Sequence, residues 1–192
     1  METKLNEYLR EGESIRWQGQ PASFPLMDNG SKMQILRKWA LTVIIAAGAL
    51  IAHMQSQMPP RMGLVAVVAA CALVIALTPV AEKSSLMKNR YWITNQRIIH
   101  MTKDGVFYYM DLADVDRYEI VTDLSDQETL VLGSAIFDDA KKYIRWRANH
   151  PMEDPDSVKS RDHVDGMIFY NIGDSAATAA AVLKDLGCRR AA

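Results

Sequence analysis

Two long apolar stretches dominate the pattern of hydrophobic and polar positions. Met62 to Val80 reads MGLVAVVAACALVIALTPV and carries no charge. At about 1.5 Å per helical residue such a run just crosses a hydrocarbon core of about 30 Å. The earlier stretch is purely apolar only from Trp39 to Ala52. Starting the helix at Ile35 gives it spanning length, with Arg37 and Lys38 snorkelling to the headgroups and Trp39 in the interfacial belt. The alternative for this stretch is a buried core helix. Spans are therefore predicted at about 35–54 and 62–80. The polar segment between them, His53 to Arg61, contains Pro59-Pro60 and suits a short re-entry turn, which makes an antiparallel hairpin. Small residues at helical spacing, Gly48 with Ala52 and Ala66 with Ala70, would allow close backbone approach.

Beyond Val80 the pattern shifts to short β-branched and aromatic runs punctuated by turn residues, which predicts antiparallel strands. These are Tyr91–Ile93, Arg97–Thr102, Val106–Leu112, Arg117–Thr122, Thr129–Phe137 and Gly166–Ile172. Thr94-Asn95-Gln96 and Lys103-Asp104-Gly105 form the first turns, and Asp123 to Glu128 interrupts the series. Asp174 and Ser175 are capping candidates for a helix ending near Leu186, with Gly187 just past its end. Val182, Leu183 and Leu186 share one face of that helix and predict packing on the sheet. The division expected is residues 1–34 as an N-terminal cytoplasmic segment, 35–81 as the hairpin and 82–192 as one soluble domain. The fold class is an α+β membrane protein.

Two strings carry a family resemblance. Tyr91-Trp92-Ile93-Thr94-Asn95-Gln96-Arg97-Ile98-Ile99 resembles the opening "Y-x-I-T-(N/D)-x-R-(V/I)-(I/L)" of bacterial pleckstrin-homology-like (PH-like) domains. Leu9-Arg10-Glu11-Gly12-Glu13-Ser14-Ile15-Arg16-Trp17-Gln18-Gly19-Gln20-Pro21 resembles the "L-x-x-G-E-x-(I/V)-x-W-x-G-x-P" segment that precedes the hairpin in membrane-anchored members. The order of parts agrees over most of the chain; the departure is the long polar stretch Asp138 to Asp165. The resemblance implies a seven-stranded antiparallel β-barrel or sandwich closed by a C-terminal helix. It also implies a binding or scaffolding role, and no catalytic residues.

Charge orients the hairpin. Lys32, Arg37 and Lys38 precede it and Lys83, Lys88 and Arg90 follow it, while the turn holds only Arg61, so both termini are expected in the cytoplasm. Overall, 22 Lys and Arg against 23 Asp and Glu leave no basic field for nucleic acid. Cys71 and Cys188 show no disulfide framework and are expected to be free thiols in a reducing compartment. Glu2, Glu7, Glu11 and Glu13 argue against a cleavable signal peptide. Ser14 to Trp17 is expected to dock on the soluble domain in extended form, with Ile15 and Trp17 on one side; the competing placement puts Trp17 among the headgroups.

Five residues are candidates for binding. Arg97 has a planar fork suited to a phosphate or carboxylate, although the Thr94-Asn95-Gln96 turn before it serves strand register first. Lys141, Lys142, Arg145 and Arg147 alternate with Tyr143, Ile144 and Trp146, a basic patch for anionic lipid or a charged sheet edge that discourages pairing. His150 with Glu153, and His163 between Asp162 and Asp165, are the clusters with metal character, but no metal or other cofactor is expected. Phosphate-loop, dinucleotide, Cys-x-x-Cys, H-E-x-x-H and G-x-S-x-G signatures are absent, so an enzyme is not expected. The function expected is a non-enzymatic, membrane-anchored PH-like binding or assembly module on the cytoplasmic face of a bacterial inner membrane. Its partners would be the lipid bilayer and a protein, which includes a second copy of itself. The alternatives are an anionic-lipid module acting through 141–147, or an enzyme with an unrecognised site.

Overall fold

The computed structural model describes residues 2–23, 25–27, 32–55, 62–122, 128–133, 153–155 and 162–188. The chain forms two compact units, one built from Met1–Ser23 with Ser85–Ala192 and the other from Phe24–Ser84. Residues at the start of the chain thus belong with those that follow the apolar helices.

The second unit holds α2 (Lys32–Gln55) and most of α3 (Met62–Leu86). Both are long and apolar enough to cross a membrane, and only 6% of each apolar window is buried within the protein. Leu41, Val43, Ile44, Leu73 and Val74 are each more than half exposed, which is costly in water and favourable in hydrocarbon. A buried core helix, the alternative for the earlier stretch, does not have this exposure. Thr42 and Thr78 donate their hydroxyls to the carbonyls of Lys38 (2.8 Å) and Val74 (3.0 Å), hiding both polar groups against their own helix. The helices run past the expected spans. α2 continues through His53 to Gln55, and α3 passes Pro79 without ending. A proline removes one intrahelical bond, but the favourable helix formers from Ala81 to Leu86 carry the helix on. The turn residues 56–61 lie outside those described.

The first unit is α+β. Its elements are α1 (Glu2–Tyr8), β1 (Ile15–Gly19), β2 (Arg90–Thr94), β3 (Arg97–Met101), β4 (Phe107–Asp111), β5 (Tyr118–Thr122), β6 (Glu128–Leu132), β7 (Glu153–Pro155), β8 (Val164–Phe169) and α4 (Ser175–Asp185). A 3-10 turn, Leu112–Asp114, connects β4 to β5. Two four-stranded sheets result, ordered β1-β2-β3-β4 and β5-β6-β8-β7, with every ladder antiparallel. Strands therefore number eight among the described residues, not seven, because the segment before the hairpin supplies one. Among the described residues the sheets do not close into a barrel, and a single bridge between Tyr109 and His163 joins β4 to the residue preceding β8. β5 starts the second sheet instead of extending the series from β4.

The core lies between the sheets and α4. Tyr91, Ile93, Ile98, Met110, Leu130, Leu132, Met167 and Phe169 meet there, on alternate positions of their strands, with Ala176, Ala179 and Leu183 from α4. The intervening positions of β2 and β3, Trp92, Ile99 and Met101, point to the opposite face and are covered by Leu5 of α1, with Tyr8 and Leu9 packed alongside. That second cover explains why all five residues of β3 are buried. α4 ends as expected: Gly187 takes φ 87°, and the N–H groups of Gly187 and Cys188 bond the carbonyls of Lys184 and Leu183. Its start differs. Asp174 itself takes helical φ and ψ and makes no side-chain cap, and the N–H groups of Ser175 and Ala176 instead bond the carbonyls of Ile172 and Gly173 in a tight turn.

Candidate functional site

The two strings singled out in the sequence meet in the first unit. β1 pairs with β2, placing Gly19 opposite Tyr91, Gln18 opposite Trp92 and Trp17 opposite Ile93. A register shift between Ile15 and Trp17 separates their directions. Trp17 goes into the core, stacked on Phe169 at 5.7 Å, while Ile15 stays 39% exposed. The expectation that the two share a side fails because one irregular residue breaks the strand's period of two.

Trp17 also explains the glycine two positions on. A Cβ at Gly19 would run into the indole ring, which lies along the strand over that residue. Gly19→Ala is expected to cost about 1–3 kcal/mol, the usual price of overpacking. Comparing chemical denaturation midpoints of the two proteins in detergent checks this.

Glu13, immediately before β1, is the centre of the junction. Its side chain is fully covered, and so is 96% of the Arg97 side chain that it faces. Arg97 Nε donates to Glu13 Oε1 (3.0 Å) and Nη2 to Oε2 (3.1 Å), a two-point fork on the carboxylate. Nη2 also donates to the Tyr8 carbonyl (2.6 Å). The guanidinium carbon lies 4.6 Å from the Tyr8 ring centroid and 5.0 Å from that of Tyr109, within cation–π range of both. The carboxylate accepts two further bonds, from the Arg10 N–H at 2.7 Å and from the Thr94 hydroxyl at 2.7 Å. Burial alone would raise the Glu13 carboxyl. The Arg97 fork, the Arg10 N–H, the Thr94 hydroxyl and the Arg97 charge together outweigh it and hold the group below the ordinary carboxylate range. Burial pushes the Tyr8 phenol up to about 12 despite the opposing Arg97 charge, so it stays neutral.

The turn between β2 and β3 completes the contact. The Thr94 hydroxyl oxygen accepts from the N–H groups of Arg97 (2.9 Å) and Gln96 (3.2 Å), closing the turn locally. Asn95 reaches across: its Oδ1 accepts from the Ser14 N–H (2.7 Å) and its Nδ2 donates to the Gly12 carbonyl (3.2 Å). Gln96 donates to the Glu11 carbonyl (3.3 Å). Arg97 thus presents its fork to a carboxylate belonging to this chain. Lys141, Lys142, Arg145 and Arg147 lie outside the described residues, as does His150.

Two further features flank the junction. His163 Nε2 is 3.0 Å from Asp114 Oδ2, and Asp111 brings a third donor, all within 4.8 Å of one another. The neighbours are Asp111 and Asp114, not the Asp162 and Asp165 adjacent in sequence. Arg10 already bonds Asp111 at 2.9 Å, and that pairing raises the Arg10 guanidinium against the opposing effect of burial. On the other side, a groove of about 760 Å³ runs between α1 and β1, with Leu5, Ile15 and Trp92 among its apolar walls and Gln18, Gln20 and Arg90 among its polar ones.

α1 has no counterpart among the elements expected from the sequence, although Leu5, Tyr8 and Leu9 stand at helical spacing. No protein-family model, curated protein or solved structure matches the chain.

Proposed function

We propose that the chain is a membrane-anchored PH-like module that binds or assembles proteins at the cytoplasmic face of a bacterial inner membrane, without catalysis. The observation that carries this reading is that β1, before the two apolar helices, and β2, after them, are neighbours in one sheet. Strands that share hydrogen bonds stand on one side of a bilayer, so the helices between them cross it an even number of times. Two apolar helices of spanning length, with cation-rich outer flanks, favour the cytoplasmic side for the sheets in this reading. Two antiparallel sheets with a C-terminal helix on their core, the Y-x-I-T-N-x-R turn and the preceding W-x-G strand are consistent with the PH-like resemblance, which implies a binding role. The partner is a protein held at the membrane, a second copy of this chain included.

The topology is tested in a Cys71→Ser, Cys188→Ser background. Ser56→Cys is expected to react with an impermeant maleimide added to the periplasmic side, and Lys103→Cys, on the exposed β3–β4 turn, only after the inner face is opened. The reverse pattern overturns the orientation. For the function itself, photo-crosslinking from the first unit in native membranes should capture a discrete protein partner. A chain that crosslinks only to lipid contradicts the assembly reading.

A further inference from the structure

We propose that the groove between α1 and β1 is a binding site for one anionic phospholipid, its headgroup on Arg90 and its upper acyl region against Leu5, Ile15 and Trp92. At about 760 Å³ the groove falls within the usual range for small-molecule sites. Its chemistry is amphipathic. The apolar walls suit a hydrocarbon segment, Gln18 and Gln20 offer amides to ester and glycerol oxygens, and Arg90 supplies a guanidinium. Arg90 is half-buried and oriented, because its Nη1 donates to the carbonyls of Met87 (3.1 Å) and Asn89 (2.8 Å). Among the described residues that line the groove none is acidic, so the site favours an anion over a zwitterion or a cation.

Chain connectivity selects a lipid over a soluble anion. Gln20 is among the last residues before the chain enters the apolar unit, and Arg90 is among the first after it returns. A site bounded by those two positions is tethered to the helices, and the amphiphile those helices meet is phospholipid. This inference rests on the membrane-anchored reading above, and it is distinct from the basic stretch 141–147.

The test is a titration of the full chain in a non-ionic detergent, followed by phosphorus NMR. Short-chain dihexanoyl phosphatidylglycerol, dihexanoyl phosphatidylcholine and inorganic phosphate are the probes. The phosphatidylglycerol is expected to bind at least ten-fold more tightly than either of the others. Arg90→Gln should weaken it at least ten-fold, and Gln18→Glu, an exposed change that brings a negative charge to the rim, should weaken it too. Lys103→Gln should leave it unchanged. Gln18→Glu keeps the test decisive if Arg90→Gln fails to fold. Equal binding of the two lipids overturns the proposal, and so does binding that survives both groove variants. Inorganic phosphate binding as tightly as the lipid shows a free-anion site instead, and loss only on neutralising Lys141, Lys142, Arg145 and Arg147 transfers the lipid to that stretch. Because the titration is done in detergent, its failure with the maleimide pattern intact removes this inference alone.

Discussion

Glu13→Ala is expected to destabilise the detergent-solubilised protein by about 3–5 kcal/mol, the range found when one partner of a buried ion pair is removed and the other is left uncompensated. The loss has two parts. Arg97 would keep its buried charge with only the Tyr8 carbonyl and two aromatic faces to hold it, and the Arg10 N–H would lose its acceptor, while the Thr94 hydroxyl would keep the Arg97 carbonyl at 2.8 Å. Arg97→Ala should cost a similar amount from the other side, and the double variant less than the sum, because the second change removes the stranded charge. The pH dependence follows in sign from the lowered Glu13 carboxyl. Its contribution is fully present above the ordinary carboxylate range and is lost as pH falls through the group's own, lower value. The gap between the wild type and Glu13→Gln should therefore be widest near neutrality and narrow in acid below about pH 4. Urea titrations at several pH values measure it. A gap independent of pH would mean that the carboxylate charge contributes nothing.

Trp17→Ala is the second large effect, about 3–5 kcal/mol for truncating a buried tryptophan. Trp17 is 8% exposed, stacks on Phe169 and belongs to the cluster that includes Tyr91, Ile93 and Leu183, so its loss opens the core between the first sheet and α4. In the same variant Gly19 loses its cover, and Gly19→Ala in the Trp17→Ala background should cost less than it does alone. Lipid-borne quenchers should leave Trp17 emission unaffected. Strong quenching with an unchanged melting point would place this residue among the headgroups instead.

Much of the first sheet was legible because β-branched and aromatic residues with turn chemistry between them act locally. Tyr91 to Met101 is a run of that kind, and the Thr94 turn closes on its own neighbours. The glycine in W-x-G became explicable only once the indole was seen to lie over it. The Glu13–Arg97 pair left no trace in either string alone, since 84 positions and both apolar helices separate its members. Nothing in local composition distinguishes a glutamate that will be buried from the exposed Glu11 two residues earlier. Alternation cannot detect the single irregular pairing that turns Ile15 away from the side of Trp17. α1 carries little signal in the sequence, because its seven residues have Leu5 and Tyr8 as their apolar contacts and stand beside much longer apolar runs.

The interleaving of β1 and β2 across the helices also dictates an order of events at the ribosome. β1 leaves the tunnel first and has no neighbour to pair with until the whole apolar insert and then Arg90–Thr94 have been made. The sheet therefore closes only after the whole apolar insert has been synthesised. On the membrane-anchored reading proposed above, a helix that failed to insert would strand β1 and β2 on opposite sides of the bilayer, keep Glu13 from Arg97 and leave the unfinished sheet open to proteases. On that reading, assembly of this small domain would report whether both apolar helices had been inserted.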